Sequence, residues 1–129
     1  MALIKLLDKL ELFDVDYVLL EQQPQRNVQM KNISILLFNY FILRGIIDKI
    51  ENKIKDVLFI SSKNKLKFYD GPEIIIKSKN NYTKRKKLAI EYCKYHLKDN
   101  ETDLKYFLSL KKKDDAADCF LQAVWFFNK

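Results

Sequence analysis

Hydrophobic residues recur along the chain in two patterns, one with the period of a helix and one continuous. Leucines at three- and four-residue steps predict an amphipathic helix over residues 3–13. The run YVLLE at residues 17–21 predicts a strand buried in a parallel sheet, and VLFI at residues 57–60 predicts a second strand. Between them a helical pattern extends from about residue 30 to residue 51, with Gly45 as its weak point.

The second half of the chain is mainly helical in its pattern. Residues 65–69 alternate like an edge strand, and residues 74–76 predict a third short strand. Helical patterns follow over residues 84–97, 102–110 and 114–127. Thr83 is the expected N-cap of the first of these helices. The order helix, strand, helix, strand and then helices predicts one α/β layered domain.

Length and charge narrow the function classes. At 129 residues the chain has the length of one domain, and its net charge of +7 favours a polyanionic partner, although a solvated lysine-rich surface has the same balance. Charged residues interrupt the apolar N-terminus, and no apolar stretch approaches the roughly 20 residues of a membrane span. Cys93 and Cys119 lack metal-site spacing and fit free thiols. We therefore expect a soluble, intracellular protein that is not secreted and engages no membrane.

Carboxylates at two places are candidates for metal chemistry. Glu21 ends the first predicted strand, where the active sites of open α/β sheets gather, although it equally suits a carboxylate that leaves the core for solvent. Asp115 and Asp118 lie about 60° apart on one face of the final helix, with no cation beside them in that helix. Two like charges so close favour a bound Mg²⁺; alternatively, Asp114 or Asp115 only caps the helix.

Basic clusters open two of the predicted helices. They consist of Lys84, Arg85, Lys86 and Lys87 at one helix start, and of Lys111, Lys112 and Lys113 at the other. Cations at these places oppose the helix dipole, so phosphate contact is one interpretation and a solvated charge run is the other. Tyr82, beside the first cluster, is a candidate for stacking or backbone contact, or equally a core residue.

Three segments, in the same order, resemble one family. YVLLEQQP at residues 17–24, followed by a long helix, is similar to the second acidic motif of RuvC-like Holliday junction resolvases. YTKRKKLA at residues 82–89 and KKDDAAD at residues 112–118 are similar to the basic helix start and the terminal motif of their poxvirus and mitochondrial branch. The resemblance implies a ribonuclease H-like α/β fold and a Mg²⁺-dependent endonuclease, with Mn²⁺ as another suitable ion. Such an enzyme resolves four-way DNA junctions as a homodimer.

The resemblance also implies roles for single residues. The implied metal ligands are Glu21, Asp115 and Asp118, with Asp114 as the alternate to Asp115. The implied catalytic lysine near the scissile phosphate is Lys86 or Lys87. The apolar helix that begins at residue 30 is the expected dimer surface.

One departure from the family pattern bears on activity. The family begins with antiparallel strands, the first of which carries an Asp in a DxGxxN-like motif, and nothing before Glu21 matches that motif. We therefore expect an N-terminally truncated ribonuclease H-like domain that cuts junctions poorly or not at all by itself. The alternative is a catalytically inactive DNA-binding or partner protein derived from this fold. For the enzyme, the resemblance implies a role in viral DNA recombination or replication, and a viral protein of this kind is expected in the host cytoplasm.

Overall fold

The structure, a computed structural model, describes residues 2–48 and 54–129. The chain forms two compact units, unit 1 (Met1–Ser61) and unit 2 (Ser62–Lys129). Unit 1 contains helix α1 (Ala2–Leu10), strand β1 (Tyr17–Glu21), helix α2 (Val28–Tyr40), a π-helical segment (Phe41–Ile47) and strand β2 (Asp56–Ile60). Unit 2 contains a short 3-10 helix (Ser62–Asn64) and helices α3 (Asn81–Leu97), α4 (Glu101–Ser109) and α5 (Lys113–Asn128). The protein is therefore mixed α/β, with the strands in unit 1.

The two strands of unit 1 are adjacent and parallel, as predicted. Tyr17 lies opposite Asp56 and Glu21 opposite Ile60. The backbone N–H of Gln22 extends the pairing by donating to the Ile60 carbonyl at 2.9 Å. All five β1 residues are half-buried, since the sheet in the described residues consists of these two strands and both edges lack a neighbouring strand. The prediction of two parallel strands joined through a helix is confirmed. The prediction that β1 is buried on both faces is wrong.

The connection between the strands changes helix type in its second half. α2 begins after Asn27, whose side chain accepts a hydrogen bond from the Met30 N–H at 3.2 Å. The π-helical segment follows directly and contains Gly45, where a Cβ would meet the Cδ1 of Ile54 at 2.8 Å. Glycine thus permits a close approach between this segment and the residues before β2. The prediction of one regular helix over residues 30–51 is therefore wrong for the π-helical segment. The last part of that prediction, residues 49–51, lies outside the described residues.

The helical connection remains apolar on its solvent side. Its exposed large apolar residues are Val28, Met30, Ile33, Ile35, Leu43 and Ile47. By length and composition alone, the helix over Val28–Ile47 could cross a membrane. The expectation that no segment has this length is therefore wrong, although helices in the cores of soluble proteins pass the same test.

A hydrogen bond ties α1 to α2 in the core of unit 1. The buried members of this core are Leu7, Tyr40, Phe41, Ile54 and Val57. The Tyr40 hydroxyl donates to the Asp8 carboxylate at 2.6 Å. Burial and this hydrogen bond raise the pKa of Tyr40 to about 12, so the hydroxyl remains a donor through the physiological range.

The core of unit 2 joins α3 to α5. Its buried members are Ala89, Cys93, Leu97, Phe107, Ala117 and Leu121. The small side chains of Ala89 and Ala117 let the two helices approach closely. Burial raises the pKa of the Cys93 thiol to about 11. Within the described residues neither Cys93 nor the exposed Cys119 is part of a disulfide, as predicted.

Two predicted strands of unit 2 are not strands. Residues 65–69 and 74–76 belong to a turn and an irregular segment that reaches α3. Tyr69 stacks on Tyr92 of α3 with ring centroids 3.8 Å apart and planes 5° from parallel. The alternating side chains in this segment therefore pack against a helix instead of pairing with a strand.

Two helices of unit 2, α3 and α4, have asparagine N-caps. The Asn80 side chain accepts from the backbone N–H groups of Tyr82, at 2.8 Å, and Thr83, at 3.4 Å. Asn80 is thus the N-cap of α3, and the prediction of Thr83 as N-cap is wrong. In the same way Asn100 caps α4 by accepting from the Asp103 N–H at 3.0 Å.

Candidate functional site

The acidic motif at the start of α5 places its three aspartates in different environments. Asp114 and Asp118 are half-buried and Asp115 is exposed. The buried side of α5 is formed by Ala117, Leu121 and Gln122. Each aspartate is therefore described below with its own partner.

Asp118 is paired with a lysine from another part of unit 2. The Nζ of Lys65 donates to Asp118 Oδ2 at 2.6 Å, and the two side chains are only 17% and 26% exposed. A cation within the fold thus already offsets the charge of Asp118. The sequence argument that a bound cation is needed to relieve repulsion between Asp115 and Asp118 therefore loses its premise.

Asp114 is paired with Lys86 of α3. The Lys86 Nζ lies 3.0 Å from Asp114 Oδ2 and 4.6 Å from the centroid of the Tyr82 ring. Hydrogen bonds to Tyr82 and Asp114 raise the pKa of Lys86 above its ordinary value. In turn, the hydrogen bond from Lys86 lowers the pKa of the Asp114 carboxyl. Lys86 is therefore a protonated lysine whose charge is paired with Asp114, and it cannot serve as a base near neutral pH.

The face of α5 that carries Asp115 passes from solvent into the core. Asp115 Oδ2 lies 4.0 Å from the Nζ of Lys112, and both side chains are exposed, so this pair contributes little. Gln122, one turn beyond Asp118 on the same face, is 5% exposed. Asp118 thus stands at the boundary between solvent and core, a place where an ion pair is partly shielded from water.

Glu21 is the third implied metal ligand, and it lies in unit 1. It is half-buried at the end of β1, and the Gln23 side chain donates to the Glu21 backbone carbonyl at 3.2 Å. The convergence of Glu21 with Asp115 and Asp118 stays a prediction. Among residues 2–48 and 54–129, no group of three or more His, Cys, Asp or Glu side chains is placed to hold a metal ion.

The two basic clusters differ in what their members contact. Their exposed members are Lys84, Arg85, Lys87, Lys111 and Lys112. Lys86 instead pairs with Asp114, and Lys113 is half-buried and donates to the Leu110 carbonyl at 2.7 Å. Lys113 therefore caps the C-terminal end of α4, where Leu110 is the C-cap residue. Both clusters therefore leave exposed cations, three at the start of α3 and two before α5.

The structure decides the environment of Tyr82 and shows a contact of Lys65 that the sequence analysis did not predict. Tyr82 is 67% exposed, so the core interpretation of this residue is wrong. Lys65 was missed as a partner of the acidic motif. It is 53 residues from Asp118 in sequence, and no local spacing signals such a contact.

Comparison with known proteins adds one viral relative. No family model matches the chain, and no solved structure matches it. The chain is 39% identical over 135 residues to "Uncharacterized protein L451" of Acanthamoeba polyphaga mimivirus, over 96% of this chain and 32% of the relative. The chain therefore spans about a third of the length of the curated relative it matches.

Proposed function

We propose that this chain is the branched-DNA-binding part of a RuvC-like Holliday junction resolvase with a ribonuclease H-like fold. The observation that carries the proposal is the exposed cation surface at the start of α3, formed by Lys84, Arg85 and Lys87. Clustered cations bind nucleic acid by releasing counterions from the phosphates. The parallel β1–β2 pair joined through a helix supports the fold. The viral relative supports a viral setting inside the host cell, and the role in DNA recombination rests on the family resemblance alone.

A magnesium site is the part of the proposal with the least support in unit 2. Asp118 is already paired with Lys65 at 2.6 Å and Asp115 is exposed, so these two carboxylates alone do not fit the octahedral oxygen shell of Mg²⁺. Binding of Mg²⁺ or Mn²⁺ depends on Glu21 and on further ligands. Metal-dependent hydrolysis of the phosphodiester therefore remains a hypothesis drawn from the family resemblance.

A catalytically inactive DNA-binding protein is the second candidate function. The observation that favours it is the Lys65–Asp118 pair, because a lysine that neutralises a carboxylate removes the reason for a cation to bind there. Under this alternative the acidic motif is structural. It joins α5 to α3 through Asp114 and to the residue 65 turn through Asp118.

A homodimer completes the proposal. A four-way junction has two-fold symmetry, and two symmetric nicks need two copies of the protein. The exposed apolar residues of the helix over Val28–Ile47 are the proposed dimer surface.

DNA binding is tested by fluorescence anisotropy with a labelled four-way junction and a duplex of equal length, over a range of salt concentrations. Each phosphate contact contributes about −0.9 to the log–log salt slope on duplex DNA. A variant with Lys84, Arg85 and Lys87 changed to Ala should bind more weakly and flatten that slope. The control variant changes Lys5, Lys9 and Lys31 to Ala, which removes the same charge from exposed sites in unit 1. Equal effects of the two variants would refute the assignment of the surface.

Catalysis is tested on the same junction with Mg²⁺, with Mn²⁺ and with a chelator. Metal-dependent symmetric nicking that is lost on Glu21→Gln would support the resolvase. Tight junction binding without nicking at any metal concentration would support the second candidate. If the protein neither binds nor nicks the junction, both candidates are overturned.

A further inference from the structure

We propose that Tyr82 is a platform on which one unpaired DNA base stacks. The inference rests on the proposed DNA-binding function and specifies the part of the DNA that this surface recognises. Tyr82 lies in the first turn of α3 and is 67% exposed. Large exposed aromatic rings among cations are typical of surfaces that bind single-stranded nucleic acid.

The ring of Tyr82 is held from one side. The Lys86 Nζ lies 4.6 Å from the ring centroid, and Asp114 holds that ammonium group at 3.0 Å. A ring covered on both faces would not leave two thirds of the residue exposed. One face therefore contacts the Lys86 cation and the other is open to a ligand. The contact also limits the rotation of the ring, which lowers the entropy lost when a base stacks on it.

Cations flank the ring within the same helix. At about 100° per residue, Arg85 and Lys86 lie on opposite sides of Tyr82, about 60° and 40° away. The backbone N–H groups of Tyr82 and Thr83 are already bonded to the Asn80 side chain. A phosphate next to the stacked base is therefore bound by side chains such as that of Arg85, not by the end of the helix.

The required ligand is an unpaired base next to a phosphate. In a duplex both faces of each internal base are covered by its neighbours, so the ring of Tyr82 has no base face to contact. At a branch point or in a single strand one face is free. Tyr82 therefore gives a preference for DNA with unpaired bases, while the exposed cations bind any DNA.

The test uses the full chain and a fluorescent 2-aminopurine base, placed either in a single strand or inside a duplex. Tyr82→Ala should weaken single-strand binding by about 5- to 150-fold, the usual contribution of one stacked base, and change duplex binding by less than about twofold. Tyr82→Phe, which keeps the ring, should bind the single strand like the parent protein. The matched control is Tyr106→Ala, since Tyr106 is 68% exposed on α4.

The outcomes separate this inference from the proposed function. Equal losses for Tyr82→Ala and Tyr106→Ala, or an equal loss on duplex DNA, would overturn the stacking role while salt-dependent DNA binding could persist. If the parent protein binds no DNA, both the stacking role and the proposed function are overturned. Tighter binding of an RNA strand of the same sequence would overturn the assignment to DNA. Circular dichroism of each variant confirms that the helices remain.

Discussion

The ion pair between Lys65 and Asp118 should contribute measurably to the stability of unit 2. The perturbation is a double-mutant cycle of Lys65→Met, Asp118→Asn and the two together. The donor and acceptor atoms are 2.6 Å apart and the side chains are 17% and 26% exposed. Either single change leaves a partly buried charge or polar group without its partner, which costs more than the lost attraction alone.

The expected size follows from the partial burial. Exposed ion pairs contribute about 0–1 kcal/mol, and breaking a fully buried pair costs about 3–5 kcal/mol. Asp118→Asn should therefore lower the free energy of unfolding by about 1–3 kcal/mol, with a coupling energy of about 1–2 kcal/mol in the cycle. The matched control is Lys112–Asp115 on the same helix, which is 4.0 Å apart and exposed and should couple by less than about 0.5 kcal/mol.

Urea unfolding followed by Trp125 fluorescence measures these energies. Trp125 is the single tryptophan of the chain and lies in α5, so its emission reports on unit 2. With a slope of about 1–3 kcal/mol/M in urea, the expected losses shift the unfolding midpoint by several tenths of a molar or more. A coupling energy for Lys65–Asp118 no larger than that of the control pair would refute the reasoning.

The same cycle shows whether Asp118 binds a metal. If millimolar Mg²⁺ stabilises the parent protein and abolishes the Lys65–Asp118 coupling, a divalent cation displaces Lys65 from Asp118. That result would support Asp118 as a metal ligand and thus the resolvase proposal. If Mg²⁺ leaves the Lys65–Asp118 coupling energy of the cycle unchanged, the acidic motif is structural under these conditions. The second result favours the catalytically inactive candidate.

Three further predictions concern stability. Leu121→Ala should cost about 2–5 kcal/mol in urea unfolding, because Leu121 is 1% exposed in the core of unit 2; a cost below 1 kcal/mol would contradict this packing. Glu11→Gly should raise the free energy of unfolding by about 0.5–1 kcal/mol in thermal melts, since Glu11 has a φ of 49°, whereas Lys9→Gly inside α1 should lower it. Lys86 lowers the pKa of Asp114, so this carboxylate stabilises the fold above its unfolded pKa of about 4, and the stabilisation is lost as the pH falls through the lower folded value. The stability difference between the parent protein and Asp114→Asn should therefore shrink in urea titrations below about pH 4, and a constant difference from pH 3 to 7 would contradict the pairing.

Periodicity alone determined most of the secondary structure. The two strands are short apolar runs and the helices of unit 2 have regular apolar spacing, so their stabilising pattern lies within each segment. Helix starts were harder, because both Asn80 and Thr83 are good capping residues. The choice between them depends on backbone angles that residue types do not specify.

The basic surface was also evident in the sequence, since consecutive cations at a helix start are mostly solvated. The partners of the acidic motif were not. Periodicity shows which residues share a helix face, but it does not show which segment packs on that face. Lys65 comes from 53 residues away, and the alternation around it suits a strand as well as a segment packed on a helix. Only the tertiary structure decided between them, because electrostatic pairing and ring stacking depend on distance in space and not on distance along the chain.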